Sequence, residues 1–154
     1  MKTIYVDTSV FGGKFDAEFA LWTDLFFKKV FESDIELLYS DVAEEELINA
    51  PQDVRDFVKS IPERNLCQIQ LSEEAILLAE KYLQEKVVGK SSRADCYHIA
   101  MATIFKADLL VSWNFKHIVN IQRIHGYHAV NLMNGYQTIE IRNPREVFNY
   151  ETDD

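Results

Sequence analysis

The stretch Lys2-Thr3-Ile4-Tyr5-Val6-Asp7-Thr8-Ser9 constrains the chain most. A β-branched, apolar run that ends in an acid and two hydroxyl residues predicts a buried parallel strand carrying a carboxylate to its carboxyl edge. Ligands of open α/β sheets bind at that edge. A carboxylate shielded there from bulk water must be paired, protonated or coordinated to a cation if it is to stay charged. The chain is therefore read by asking what joins Asp7.

With 154 residues, 47% of them hydrophobic, the sequence suffices for one complete core and is short for two. The expectation is a single domain over residues 1–154, with about 150–154, acidic or polar, as a frayed tail. No apolar run reaches membrane-spanning length and no signal-like segment precedes the first strand, so the expected location is the cytoplasm. Cys67 and Cys96 lack metal-like spacing and read as free, buried thiols. The net charge of −9 argues against a general nucleic-acid coat protein, which needs a face rich in Lys and Arg. A polyanionic substrate would require a divalent cation to neutralise part of the acidic site.

Phe11-Gly12-Gly13-Lys14 reads as a loop, followed by a helix capped by Asp16 and running to about Glu32. Ile35 to Tyr39 is a second strand, and Ser40 or Asp41 caps a short helix through Glu44-Glu45-Glu46. Helices follow from Pro51 to about Lys59, from Ser72 through Leu83, and from about Ser92 to Phe105, with a short extended segment at Leu66 to Ile69. Asp108 to Trp113 is a further buried strand. His128 to Leu132 and Thr138 to Ile141 are expected as strands joined around Asn134-Gly135, and Asn143 to Val147 as a closing turn or short helix.

Helical phase separates the acids. Val42, Ala43, Leu47 and Ala50 define an inward arc that includes Glu46 and excludes Glu44 and Glu45. Asp95 enters the first turn of a helix whose residues Cys96 to Phe105 are apolar in nearly every direction, a helix enclosed by protein. The bland reading of Asp95 is a cap, or an ion pair with Arg93. His98, a turn later, reads as a metal ligand, a phosphate contact or a packed imidazole holding a carboxylate, the last being favoured. Asp108 precedes its strand and Asn114 follows it, so of the two only Asn114 lies at the edge of Asp7.

In this order, Asp7-Thr8-Ser9, Ser40 through Leu47, Arg93-Ala94-Asp95-Cys96-Tyr97-His98-Ile99-Ala100 and Leu110-Val111-Ser112-Trp113-Asn114-Phe115 resemble the PIN domain of VapC-type toxin nucleases. The resemblance spans almost the whole chain. It implies a three-layer α/β/α fold with a central, mainly parallel sheet, and a metal-dependent ribonuclease site at the carboxyl edge. By that resemblance Asp7, Glu46 and Asp95 match the acidic ligands for Mg²⁺ or Mn²⁺, and Thr8 or Ser9 the hydroxyl beside the first acid. Asn114 stands where many members carry a fourth acid. An amide has one negative charge fewer and offers only a neutral carbonyl oxygen to a cation.

The leading expectation is accordingly a Mg²⁺/Mn²⁺-dependent endoribonuclease acting on RNA, the toxin of a toxin and antitoxin pair. Asp7 and Asp95 would hold the principal cation, Glu46 would orient or deprotonate water, and Asn114 would position water or a weaker second ion. Lys14, Lys90, Arg93, Lys116 and His117 are the candidate phosphate contacts. An antitoxin partner and a homodimer come from the resemblance alone. The competing expectation is a catalytically weakened or inactive PIN domain that binds RNA or protein, motivated by Asn114. A phosphotransferase with Asp7 as nucleophile ranks below both, because no second acid follows two residues later.

Overall fold

The computed structural model describes residues 2–147, so the expected tail at 150–154 lies outside the described residues. In chain order the elements are β1 (Lys2–Val6), α1 (Thr8–Gly13), α2 (Ala20–Glu32), β2 (Ile35–Ser40), α3 (Asp41–Leu47), α4 (Gln52–Ser60), β3 (Leu66–Ile69), α5 (Glu73–Gln84), α6 (Arg93–Ile104), β4 (Leu109–Val111), α7 (Ile121–Met133) and β5 (Ile141–Arg142). The described strands form one sheet in the order β3-β2-β1-β4-β5, and every pairing is parallel.

The period-2 alternation of the strands builds the layers. Ile4, Val6, Leu37, Leu109 and Val111 face a cluster with Val10, Phe11, Phe26, Phe27 and Val54 from α1, α2 and α4. Tyr5, Leu38, Leu110 and Ile141 face the other way, toward α5, α6 and α7 through Leu78, Tyr82, Ile99, Met101, Tyr127 and Val130. The result is the three-layer α/β/α arrangement. Both faces of the central strands are covered, which is why the buried part of β1, Ile4 to Val6, and all of β4 lack charged residues.

Strand order places the site. The chain lays β1, β2 and β3 toward one edge, then returns with β4 on the far side of β1. Chain direction across the sheet thus reverses between β1 and β4, and such a reversal opens a crevice at the carboxyl ends of the two strands. Val6 pairs with Val111. Asp7 and Ser112 are the next residue on each strand, and both are buried.

Three expectations are corrected. Thr8–Gly13 is helical rather than a loop, and the following helix begins at Ala20, the Asp16 carboxylate instead capping a turn through the Glu18 N–H at 2.9 Å. Gly13 is required by close approach: a Cβ there would lie 2.7 Å from Trp113 Nε1 and 2.8 Å from Thr23 Oγ1. His128 to Leu132 lies within α7, which the Asn120 carboxamide caps by accepting from the Gln122 and Arg123 N–H groups. Ile124, Tyr127, Val130 and Asn131 follow helical spacing onto the core, and Gly126 within the helix makes room for the Val87 side chain. Gly135, with φ +82°, turns the chain out of that helix rather than forming a hairpin. Of the expected strand at Thr138 to Ile141, only Ile141 joins the ladder, together with Arg142.

Other expectations hold. Ser40 and Ser72 cap α3 and α5 by accepting from the Ala43 and Ala75 N–H groups, and residues 144–147 are helical. Both cysteines are free, Cys96 buried and Cys67 only partly so. Burial pushes the Cys96 thiol up to about 12, leaving it unreactive. Among the described residues no helix is long and apolar enough to cross a membrane.

Candidate active site

Asp7 leaves β1 with 5% of its surface exposed. Its two oxygens accept from hydroxyls on either side of the crevice, Ser9 Oγ at 2.5 Å and Ser112 Oγ at 2.8 Å. Each hydroxyl in turn accepts a backbone N–H from the end of β4: Trp113 N to Ser9 Oγ, and Asn114 N to Ser112 Oγ, both 2.9 Å. Two peptide dipoles are thereby relayed through two serines onto one carboxylate. Burial nevertheless raises the Asp7 pKa, partly countered by His98 and the two serines and reinforced by Glu46. Ser112 was not singled out in the sequence, although its place beside the end of β1 follows once β4 is paired with that strand.

Glu46 sits at the end of α3 with its side chain 42% exposed. His98 Nε2 contacts its Oε1 at 2.8 Å and Thr8 Oγ1 donates to the same oxygen at 3.3 Å. His98 is 1% exposed and its Nδ1 lies 2.7 Å from the Tyr5 hydroxyl, which donates to Ser40 Oγ at 2.9 Å. With both ring nitrogens engaged, His98 holds a carboxylate and has no lone pair to offer a metal. Burial alone would lower the His98 pKa, but the hydrogen bond and charge of Glu46, with Asp7 and Asp95, raise it. An imidazolium suits this chain, since both nitrogens then donate and Tyr5 passes its own proton on to Ser40. Burial likewise pushes Glu46 upward, and the His98 bond overrides it to leave Glu46 below the usual carboxylate range.

Asp95, in the first turn of α6, is partly buried, and burial raises its pKa, with His98 and His117 opposing and Asp7 and Glu46 adding to the shift. Asn114 Nδ2 donates to its Oδ1 at 3.3 Å. The Asn114 carbonyl Oδ1 accepts two backbone N–H groups, Lys116 at 3.2 Å and His117 at 2.9 Å. The backbone donors fix the amide's orientation: its oxygen faces the turn and its nitrogen faces the carboxylate. Asn114, expected to position water or a weaker second ion, here links the turn after β4 to Asp95.

The cationic candidates divide. Lys14 is paired with Asp24 at 2.8 Å and lies over the Phe57 ring, and Arg93 is paired with Glu80 rather than with Asp95. Lys90 and Lys116 are exposed. His117 is partly buried, with its Nδ1 lacking a hydrogen-bond partner.

The donor set suits a hard divalent cation in kind: carboxylate oxygens, with Glu46 raising the proton affinity of Asp7, and Asp7 and Glu46 together raising that of Asp95. Among the described residues, the second oxygens of Glu46 and Asp95 have no hydrogen-bond partner. The side chains as they stand do not close into a metal shell, since no group of three or more His, Cys, Asp or Glu among the described residues is gathered tightly enough to hold an ion.

This architecture has counterparts of known structure. A chain of VapBC2 from Rickettsia felis, in a structure bound to a DNA fragment from their promoter, matches with a TM-score of 0.57 and 13% identity, over 92% of this chain and 98% of that one. A chain of DNA-bound VapBC from Salmonella typhimurium matches with a TM-score of 0.55 and 15% identity, over 94% and 99%. The fold is PIN-like. No protein-family model and no curated protein sequence matches the chain. At such identities the likeness speaks for the PIN-like fold alone.

Proposed function

We propose that the protein is a Mg²⁺- or Mn²⁺-dependent endoribonuclease of the PIN type and the toxin of a toxin and antitoxin pair. The observation that carries this reading is Asp7, a buried carboxylate at the β1–β4 crevice, held by Ser9 and Ser112 and electrostatically coupled to Glu46 and Asp95. Several acids kept close in a low-dielectric site repel one another, and a divalent cation offsets that repulsion. Asp7 and Asp95 would hold the ion, which when bound supplies Lewis-acid stabilisation to a phosphodiester and lowers the pKa of a water. Glu46, held anionic by His98, is a weak base, so its part is to orient water rather than to take its proton. Ser9 and Ser112 keep Asp7 in position, and Asn114 does the same for Asp95. Lys116 and His117 line the approach of phosphate.

An antitoxin partner, a homodimer and a cytoplasmic location accompany this reading; the VapBC neighbours support the first. The reading is tested by incubating purified protein with RNA in Mn²⁺ or Mg²⁺. Cleavage is expected, stopped by EDTA and by Asp95→Asn; cleavage that survives both removes the assignment.

One observation favours a second reading, an RNA-binding or protein-interaction module with weakened or absent catalysis. Asn114 contributes no carboxylate, and its carbonyl is taken up by the backbone. Titration with Mn²⁺ separates the two: saturable binding lost in Asp7→Asn supports the nuclease, and absence of binding supports the module.

A further inference from the structure

We propose that Phe115 is a stacking platform for an unpaired nucleobase of the RNA, placed beside the carboxylate crevice; this rests on the ribonuclease reading and names how its substrate is gripped. Phe115 is 46% exposed, yet it does not sit on a loose loop. The turn that carries it is pinned from both sides of Asn114. The side-chain oxygen accepts from Lys116 and His117, and the backbone carbonyl accepts from Ile118 at 3.2 Å and Val119 at 2.8 Å.

The ring is also braced from below. Trp113 and Phe19 stack on each other at 4.3 Å and 22°, and Phe115 leans on both, with centroids at 5.9 Å and 6.1 Å. Trp113 is itself held by its Nε1–H donating to Thr23 Oγ1 at 2.9 Å. An aromatic ring presented on a fixed support loses little freedom when a planar partner lies against it, which is the arrangement that single-stranded RNA readers use.

Position and charge select the occupant. The residue before Phe115 bonds Asp95, and the one before that donates its N–H to Ser9, which bonds Asp7. A base on Phe115 therefore belongs to a nucleotide next to the phosphate held in the crevice. The chain carries a net charge of −9, and Lys14 and Arg93 are engaged by Asp24 and Glu80. Electrostatic attraction to a polyanion is therefore weak here, whereas a base face is neutral and stacks without counterion release. The exposed Lys116 beside the ring serves the adjoining phosphate.

The test is binding of a short, unstructured, fluorescein-labelled RNA to the full chain in EDTA, where no metal-dependent cleavage occurs. Phe115→Leu, which keeps an apolar contact to Phe19 and Trp113, is expected to weaken binding about tenfold, and Phe115→Tyr to restore it. The salt dependence of the parent and of Phe115→Leu should have the same slope, because a stack exchanges no ions. Parent and Phe115→Leu binding RNA equally would overturn the platform and leave a protein side chain as the ring's occupant, and so would a parent that binds no RNA. Cleavage in Mn²⁺ that depends on Asp95 but not on Phe115 would sink the platform alone, whereas Phe115-dependent binding without cleavage would sink the nuclease reading alone.

Discussion

Asn114 donates its side-chain N–H to Asp95 while its side-chain oxygen caps the turn that follows β4. One amide thus joins an acid on α6 to the lip of the crevice. Asn114→Ala removes a cap from two backbone donors and a partner from a partly buried acid, a loss of about 1–2 kcal/mol in stability. Asn114→Asp preserves the cap and sets a second negative charge against Asp95. We expect it to melt below the parent in EDTA and to bind Mn²⁺ on the order of tenfold more tightly, because cation affinity follows the count of charged ligands. Calorimetry with and without Mn²⁺ checks both, and an unchanged affinity in Asn114→Asp would argue against a cation beside Asp95.

Burial makes ionisation of Asp7 costly to the folded state. Its folded pKa is raised, so its contribution is most favourable below the ordinary carboxylate range and is lost as pH rises through the folded value. At neutral pH Asp7→Asn should therefore melt above the metal-free parent by about 2–4 °C, the shift that 1 kcal/mol produces in a domain of this size. Mn²⁺ at a hundredfold excess over its Kd would stabilise the parent by about 2.7 kcal/mol and should leave Asp7→Asn unmoved. A variant that melts lower than the parent in EDTA contradicts the account of a strained, buried acid.

The two members of the His98–Glu46 pair titrate in opposite senses. His98 is raised, so its contribution is complete below about 6.5 and lost as pH climbs through the folded value. Glu46 is lowered, so its contribution is complete above about 4.3 and lost as pH falls through the folded value. The pair stabilises the fold between Glu46's depressed and His98's raised value. His98→Gln keeps polar contacts without the charge. In metal-free protein the melting difference between parent and variant should be largest in that window and narrow at higher pH; a difference that stays flat as pH rises rules out the imidazolium.

Gly13 ties packing to the site. Adding a methyl group puts carbon 2.7 Å from Trp113 Nε1 and 2.8 Å from Thr23 Oγ1, against the hydrogen bond that holds the indole. Gly13→Ala should cost about 1–3 kcal/mol by overpacking. Trp113→Phe in the same chain should recover part of it, since the two changes share one contact. Full additivity in a denaturant double-mutant cycle would show that the clash is relieved elsewhere.

Much of this molecule is written in local pattern. The apolar run from Ile4 to Val6, the acid behind it, the helical phase that sets Glu46 apart from Glu44 and Glu45, and the enclosed helix that follows Asp95 all reflect side-chain periodicity, which is a property of neighbours in the chain. At His128 to Leu132 the window is too short to fix the period: taken with Ile124 and Tyr127, Val130 and Asn131 recur at helical spacing behind the Asn120 cap, and the packing of Gly126 against Val87 is seen only in the fold.

The same division runs through the site. Residue type and order sufficed to nominate Asp7, Glu46, Asp95 and Asn114, because an acid at a strand end or on a buried face is costly wherever the chain goes. Which atom of Asn114 faces Asp95, that Ser112 completes the shell of Asp7, and that His98 carries its proton toward Glu46 were settled by strands and helices far apart in sequence. Hydrogen bonds are directional and short, so their partners exist only once β4 lies beside β1 and α6 beside α3.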